Sequence, residues 1–326
     1  MKSREKWIPT HVTRGKSAWE YRPVRGGKCV RLCALDASKS LVLKRHAEEF
    51  ERHHTKVGTF KALVETFFDS PQFSKLAPQT QIDYRKYWKK LNPVFGAVDA
   101  QKITTVHIRK YMDRKGKTSE HQANRHQSFM SKVFSWGFER GHVNLNPCRG
   151  VVRFSEKPRD KYIEDDEYAA VIQHAGVAVR VAMEISYLCG ARQGDVLRLK
   201  KSDLWDDGIY ICQGKTGKKQ VKKWTPQLRA AVALANTIKT SNGSTFVIPT
   251  RTGTGYTSDG FRAMFTKARA KARLETKKAL NFTFHDIKAK GISDFEGDKQ
   301  KFSGHKTPGQ VAVYDRKIEV VDTLKK

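Results

Sequence analysis

The chain has 326 residues, enough for about two domains at roughly 150 residues each, or three if one is small. Lys and Arg number 63 against 33 Asp and Glu, a formal net charge of +30, while 38% of residues are hydrophobic and 10% aromatic. That content supports packed cores and excludes wholesale disorder. No apolar run approaches the roughly 20 residues of a membrane span, and the start MKSREKWIPT lacks the apolar stretch of a secretory signal. So large a basic excess points to a polyanionic partner, nucleic acid first, because each phosphate neutralised releases counterions. An anionic membrane would favour a single basic amphipathic helix, whereas here the basic residues run through every segment.

Along the chain, short runs at 19–24 and 28–32 flank Arg25-Gly26-Gly27, the signal of a β-hairpin, and 41–54 has a helical pattern. Residues 1–57 thus read as a small basic β-containing domain. Cys29 and Cys33 lie within it, and with no second Cys/His pair at matching spacing they read as small strand residues rather than half a zinc site. The five cysteines are odd in number and show no framework, which fits a reducing, intracellular setting.

Residues 58–155 read as a helical bundle. Phe60, Leu63, Val64 and Phe67 follow i, i+3, i+4, i+7 spacing. Pro78 opens a second helix, in which Ile82, Tyr84, Tyr87, Trp88 and Leu91 alternate with Arg85, Lys86, Lys89 and Lys90. Further helices are expected over 104–113 and 119–140, the latter carrying Arg125 and closed by Gly141. Most of the aromatics belong to the core, and the intervening Lys and Arg residues would face phosphates. The charged stretch 155–161 reads as a linker. Beyond it, 163–167 starts a helix with acids in its first turn, Val177–Cys189 is an apolar helix, and strands at 208–213 and 220–224 flank Gly214-Lys215-Thr216-Gly217. Helices are expected from Pro226, Ser258 and Thr283, and over 308–315. The helix from Ser258 carries Arg262, Lys267, Arg269, Lys271 and Arg273 and reads as facing phosphates, with a merely solvated face as the alternative.

Four pieces of the last domain stand out together: Cys189-Gly190-Ala191-Arg192-Gln193-Gly194-Asp195; Gln213-Gly214-Lys215-Thr216-Gly217; Phe284-His285-Asp286-Ile287-Lys288; and Gly304-His305 with Tyr314-Asp315-Arg316 nine positions on. The Gly-Lys-Thr-Gly is no P-loop, because the upstream glycine spacing is missing and its flanks are strands. In this order the four pieces resemble the tyrosine recombinases, the phage-integrase family of DNA strand-exchange enzymes. The resemblance covers about 59–326 and is most specific in 162–316.

The resemblance implies a mainly α fold with small β-sheets. Residues 1–57 would form an arm-type DNA-binding domain, 58–155 a helical core-binding domain, and 156–326 a mixed α/β catalytic domain, the latter two clamping a duplex. It implies attack by a tyrosine hydroxyl on a phosphodiester, with a 3′-phosphotyrosyl intermediate and neither metal nor cofactor, to integrate or excise a phage or other mobile element. Tyr314 would be the nucleophile and Lys215 the acid that protonates the leaving 5′-oxygen. Arg192, His285 and His305 would be donors at the phosphate, with Asp195 in support. Arg85, Lys86, Lys89, Lys90, Arg125, Arg262 and Lys267 would contact double-stranded DNA. A homotetramer on paired attachment sites, DNA-bending accessory proteins, no membrane partner and a place on the nucleoid in the cytoplasm of a bacterial host are also implied. One departure stands out. The family's third piece usually reads His-x-x-Arg, and here residue 288 is Lys, which keeps the charge but loses the bidentate fork. Three readings stay open: Lys288 substitutes in an active enzyme; the chain is a weakened variant that still binds DNA; or another basic residue, such as Lys290, supplies the charge.

Overall fold

A computed structural model of the chain describes residues 7–22, 29–54 and 58–324. The chain divides into two compact units, 1–157 and 158–326.

In the first unit, β1 (Val12–Arg14), β2 (Ala18–Tyr21) and β3 (Val30–Ala34) form an antiparallel sheet in chain order, followed by α1 (Lys39–His54). Val12, Trp19, Tyr21 and Leu32 pack with Val42 of α1 in a small core of their own. The pairing of β2 with β3 is the expected hairpin; its turn at Arg25-Gly26-Gly27 lies outside the described residues. Strand β1 was not anticipated.

The rest of the unit is helical: α2 (Phe60–Phe68), α3 (Pro71–Ser74), α4 (Pro78–Phe95) and α5 (Thr105–Glu139). Thr59 caps α2 through its side chain, and the expected stripe of Phe60, Leu63, Val64 and Phe67 is wholly buried. Phe60 stacks on Phe134 with ring centroids 4.9 Å apart. In α4, Leu91 and Phe95 are buried and Tyr84, Tyr87 and Trp88 half-buried, but Ile82 is 47% exposed, so it lies off the core stripe. The two helices expected over 104–113 and 119–140 form one element, broken by extended backbone at Ser119. The first therefore runs five residues further than its apolar pattern suggests.

The second unit is built around α7 (Val177–Cys189), whose Val179, Val181, Ala182, Met183 and Ile185 are buried. Before it comes α6 (Asp165–His174) and after it the short α8 (Gln193–Leu197). Next, β4 (Leu204–Trp205), β5 (Gly208–Cys212) and β6 (Lys219–Lys223) form an antiparallel sheet in chain order. Helices α9 (Pro226–Ala235), α10 (Ser258–Thr276), α11 (Phe284–Asp294), α12 (Lys299–Ser303) and α13 (Pro308–Ala312) complete it. Helix α7 packs against α9 and α11, and α10 against α6. Helix α13 ends before Tyr314 rather than running to 315. Among the described residues no helix is long and apolar enough to cross a membrane. Nor does any group of three or more His, Cys, Asp or Glu side chains gather there as a metal site; Cys33 lies in β3 and Cys29 bonds Glu20.

Helix α11 approaches α7 closely at Gly291, where a methyl group would be driven into the carbonyl of Tyr187. Gly→Ala inside a helix ordinarily stabilises by about 0.5–1 kcal/mol. Here the clash reverses the sign, and Gly291→Ala should destabilise the protein by about 1–3 kcal/mol in urea unfolding, as overpacking does. A variant as stable as the parent would contradict this packing.

Candidate active site

Helix α7 ends at Gly190, whose φ of +59° is left-handed and favours glycine. A side chain at 190 would also meet the ring of Phe302. This turn sets Arg192 as the N-cap of α8, with its side chain mostly buried. Arg192 Nη1 donates to Gln213 Oε1 at 2.8 Å and lies 3.9 Å from Asp195 Oδ2. Asp195 is itself buried; its Oδ1 accepts from Arg198 at 2.5 Å and from the backbone N–H of Gly214 at 2.9 Å. Its Oδ2 takes no hydrogen bond among the described residues. One carboxylate therefore ties the start of α8 to the β5–β6 turn. Lys215 stands exposed at the tip of that turn, next to Gly214.

Helix α11 is capped by Thr283, whose backbone N–H and hydroxyl donate to Asp286 at 2.7 and 2.8 Å. His285 and Lys288, three apart, share a face. Lys288 is 1% exposed, and its Nζ has no hydrogen-bond partner among the described residues. It lies 5.3 Å from the ring centroid of Tyr314. Lys290, by contrast, is engaged: its Nζ donates to Tyr162 at 2.9 Å and pairs with Asp165 at 2.6 Å and Asp294 at 3.0 Å.

Gly304, with φ +67°, closes α12 and presents His305. His305 Nδ1 is 2.8 Å from the Ser303 hydroxyl, and its Nε2 is buried without a partner among the described residues. Its ring stacks on Tyr314, centroids 4.7 Å apart. His285 Nε2 lies 3.1 Å from the Tyr314 hydroxyl. The half-buried phenol is thus bordered by His285, Lys288 and His305.

The tyrosine segment is pinned from below. The Ser293 hydroxyl donates to Tyr314 O at 3.1 Å and accepts from Arg316 N at 2.7 Å. Arg316 Nη1 pairs with Asp286 at 2.7 Å, and Lys299 with Asp315 at 2.7 Å. Asp286 also takes Arg159 at 3.1 Å. Burial works to raise the Asp286 carboxyl, but the bonds from Arg316 and Thr283 outweigh it and hold it below the usual range.

The cations depress one another. Burial, then Arg192 and Lys222, bring Lys288 down to about 7 against the opposing pull of Asp195. Burial, then Lys288, Arg192 and His285, bring His305 down to about 4. His285 is lowered by burial and by Lys288, Arg192 and Arg316, against the attraction of Asp286. Both histidines are therefore neutral at pH 7. Lys222, a half-buried lysine of β6 that the motifs did not mark, donates to the Phe302 carbonyl.

The other expected DNA-facing residues are spread over the two units. Arg85, Lys86, Lys89 and Lys90 are exposed on α4, with Arg85 lying over the rings of Phe68 and Phe73 at 4.9 and 5.0 Å. Arg125 is exposed beside His121 and Glu156. On α10, Arg262 pairs with Asp259 at 3.0 Å and Lys267 is exposed. Arg269 and Arg273 of that helix are engaged by the loop that follows it: Arg269 bonds the Phe282 carbonyl, and Arg273, though exposed, bonds Ala279 and Asn281. They hold the loop leading to α11.

The model of the phage integrase family matches residues 161–317, and that of the phage integrase central domain matches 60–153. The chain belongs to the phage integrase family. It is a site-specific recombinase of that family, an enzyme that breaks and rejoins DNA. It is 26% identical over 259 residues to the integrase of Escherichia phage HK022, covering 73% of this chain and 70% of that protein. To the integrase of Escherichia phage lambda it is 27% identical over 256 residues, covering 72% and 70%. The fold is shared with the crystal structure of a lambda integrase dimer bound to a COC' core site, at a TM-score of 0.71 and 21% identity, over 99% of this chain and 100% of that one.

The integrase's buried Lys288 yields a stability test. In the unfolded chain a lysine holds its proton to above pH 10, whereas in the folded state Lys288 loses it near pH 7. Between those values the unfolded state binds more protons, so stability falls as pH drops from about 10 to about 7. Lys288→Met removes that penalty. It should be more stable than wild type at pH 7 by more than about 1 kcal/mol, with the gain shrinking toward pH 10. Urea titrations at both pH values check this; a gain independent of pH would contradict the buried amine.

Proposed function

We propose that Tyr314 is the nucleophile of strand cleavage. Its Oη forms a bond to the phosphorus as the bond from phosphorus to the 5′-oxygen breaks, leaving a 3′-phosphotyrosyl link. Neutral His285 takes the phenolic proton, and Lys215 gives a proton to the departing 5′-oxygen. Arg192 holds two non-bridging oxygens with its fork, while Lys288 and His305 Nε2 donate to the charge that develops on them. Asp195 orients this arrangement through Arg192 and the Gly214 amide. Rejoining reverses the steps, with a 5′-hydroxyl as the attacking group.

The observation that carries this reading is the Tyr314 hydroxyl 3.1 Å from His285 Nε2, beside two buried nitrogens, Lys288 Nζ and His305 Nε2, that lack partners among the described residues. Such orphaned donors match the oxygens of a phosphate. Lys288 takes the place of the usual arginine, since Lys290 is committed to Asp165 and Asp294. On this reading residues 1–57 form an arm-type DNA-binding domain, 58–155 the core-binding domain and 156–326 the catalytic domain. Arg85, Lys86, Lys89, Lys90, Arg125, Arg262 and Lys267 contact duplex phosphates. Lambda integrase has been solved as a tetramer bound to a Holliday junction, and a homotetramer on DNA is the assembly proposed here. The enzyme then acts on attachment sites of a phage or other mobile element, on the nucleoid of a bacterial host.

A nicked suicide substrate carrying the attachment site of the element that encodes the protein traps the intermediate. Wild type should form a covalent protein–DNA adduct, Tyr314→Phe none, and Lys215→Ala should slow adduct formation about 10²–10⁴-fold. An adduct formed by Tyr314→Phe would overturn the assignment.

A further inference from the structure

Gln213 heads the turn that carries Lys215, and its side chain is buried. Its Oε1 accepts from Arg192 Nη1 at 2.8 Å and from the Thr216 hydroxyl at 3.0 Å, while its Nε2 donates to the Ser303 carbonyl at 3.0 Å. The orientation of the amide is fixed by its partners. Turned over, it would set its NH2 against two donors and its oxygen against a carbonyl. Its backbone N–H donates to Lys218 O at 2.8 Å and its carbonyl accepts from Gly217 at 2.8 Å, closing the turn. Gly304, next to His305, lies so close that a Cβ there would be 2.6 Å from Gln213 Nε2. One neutral amide thus joins Arg192, the turn bearing Lys215 and the loop bearing His305.

We propose that Gln213 is a positioning residue for strand cleavage, holding the Arg192 fork toward the phosphate and locking it to the segments that carry Lys215 and His305. The inference rests on the reading of Arg192 as a phosphate cation. The amide suits the task because it orients a guanidinium without cancelling its charge. A carboxylate in its place would pair with Arg192 and weaken the attraction for phosphate. Asp195, the nearby acid, already accepts from Arg198 and Gly214 and stands off from Arg192 at 3.9 Å.

A double-mutant cycle on the suicide substrate tests this. Single-turnover adduct formation and DNA affinity are measured for wild type, Gln213→Met, Arg192→Lys and the double variant. Gln213→Met should slow cleavage about 10- to 100-fold, the scale of a misplaced reacting group, with DNA affinity changed less than about threefold. On the Arg192→Lys background the same change should slow cleavage less than about threefold, because lysine has no fork to orient. Equal losses on both backgrounds, or no loss on either, would overturn the proposal. If Gln213→Met lacks a cooperative melting transition, Gln213→Glu takes its place. It keeps the length and the acceptor but adds charge; a loss of about tenfold or more is expected, and a wild-type rate would overturn the proposal. Absence of an adduct from wild type would remove the parent reading of Tyr314 and Arg192. A wild-type adduct with an indifferent Gln213→Met would remove this inference alone.

Discussion

Positive charge without a matching anion is the constraint on which the second unit depends. Lys288, His285 and His305 border Tyr314 with the charge of Arg192 acting on all three, and the nearby acid, Asp195, has its Oδ1 already engaged. In a partly desolvated space like charges cannot all stay ionised, and the protein answers by letting Lys288 and both histidines give up their protons. On the proposed reading the free enzyme holds, in Lys288, an amine that regains its charge when an anion arrives, while the histidines stay neutral. A phosphodiester in the transition state, with growing charge on its non-bridging oxygens, is the anion such a site fits best.

The scaffold serves that cluster from both sides of one helix. Helix α11 turns His285 and Lys288 toward Tyr314, and the residue between them, Asp286, reaches Arg316, two positions past the tyrosine. Further along, Ser293 bonds the backbone on both sides of Asp315. The helix that places His285 and Lys288 thus also places Tyr314, the proposed nucleophile. Gly190 and Gly304 make the two left-handed turns that deliver Arg192 and His305, and at each of them a side chain would also run into a neighbour. These glycines serve geometry at the site, not flexibility.

Much of this was legible in the sequence where a repeating pattern or a covalent constraint carried the signal. The stripe of α2 could be read because all four of its apolar residues face one core. The cluster around Tyr314 was expected from the resemblance of four sequence pieces to a known family; spacing by itself tied only His285 to Lys288, on one helix face. What escaped depends on partners distant in sequence. Gln213 has no local signature; its role follows from Arg192 and Ser303, 21 and 90 positions away. Arg269 and Arg273 look like a basic helical face, yet both are engaged by carbonyls of the following loop. The expected helix over 308–315 stops at Ala312, where the backbone turns so that Ser293 and Asp286 can hold the next residues. The break at Ser119 falls where the second of two helices was expected to begin, but the helix before it continues through 114–118, where polar residues leave no apolar pattern to read.

The central claim, that the site waits for an anion with Lys288 unprotonated, is tested most directly by counting protons on DNA binding. Calorimetric titrations of attachment-site DNA at pH 8, in two buffers of different ionisation enthalpy, give the number taken up; the Tyr314→Phe background keeps the strands intact. The account predicts uptake of about one proton per protomer, lost when Lys288→Arg is added, since arginine is charged throughout. Binding heats that do not depend on the buffer, or the same uptake with arginine at 288, would contradict it.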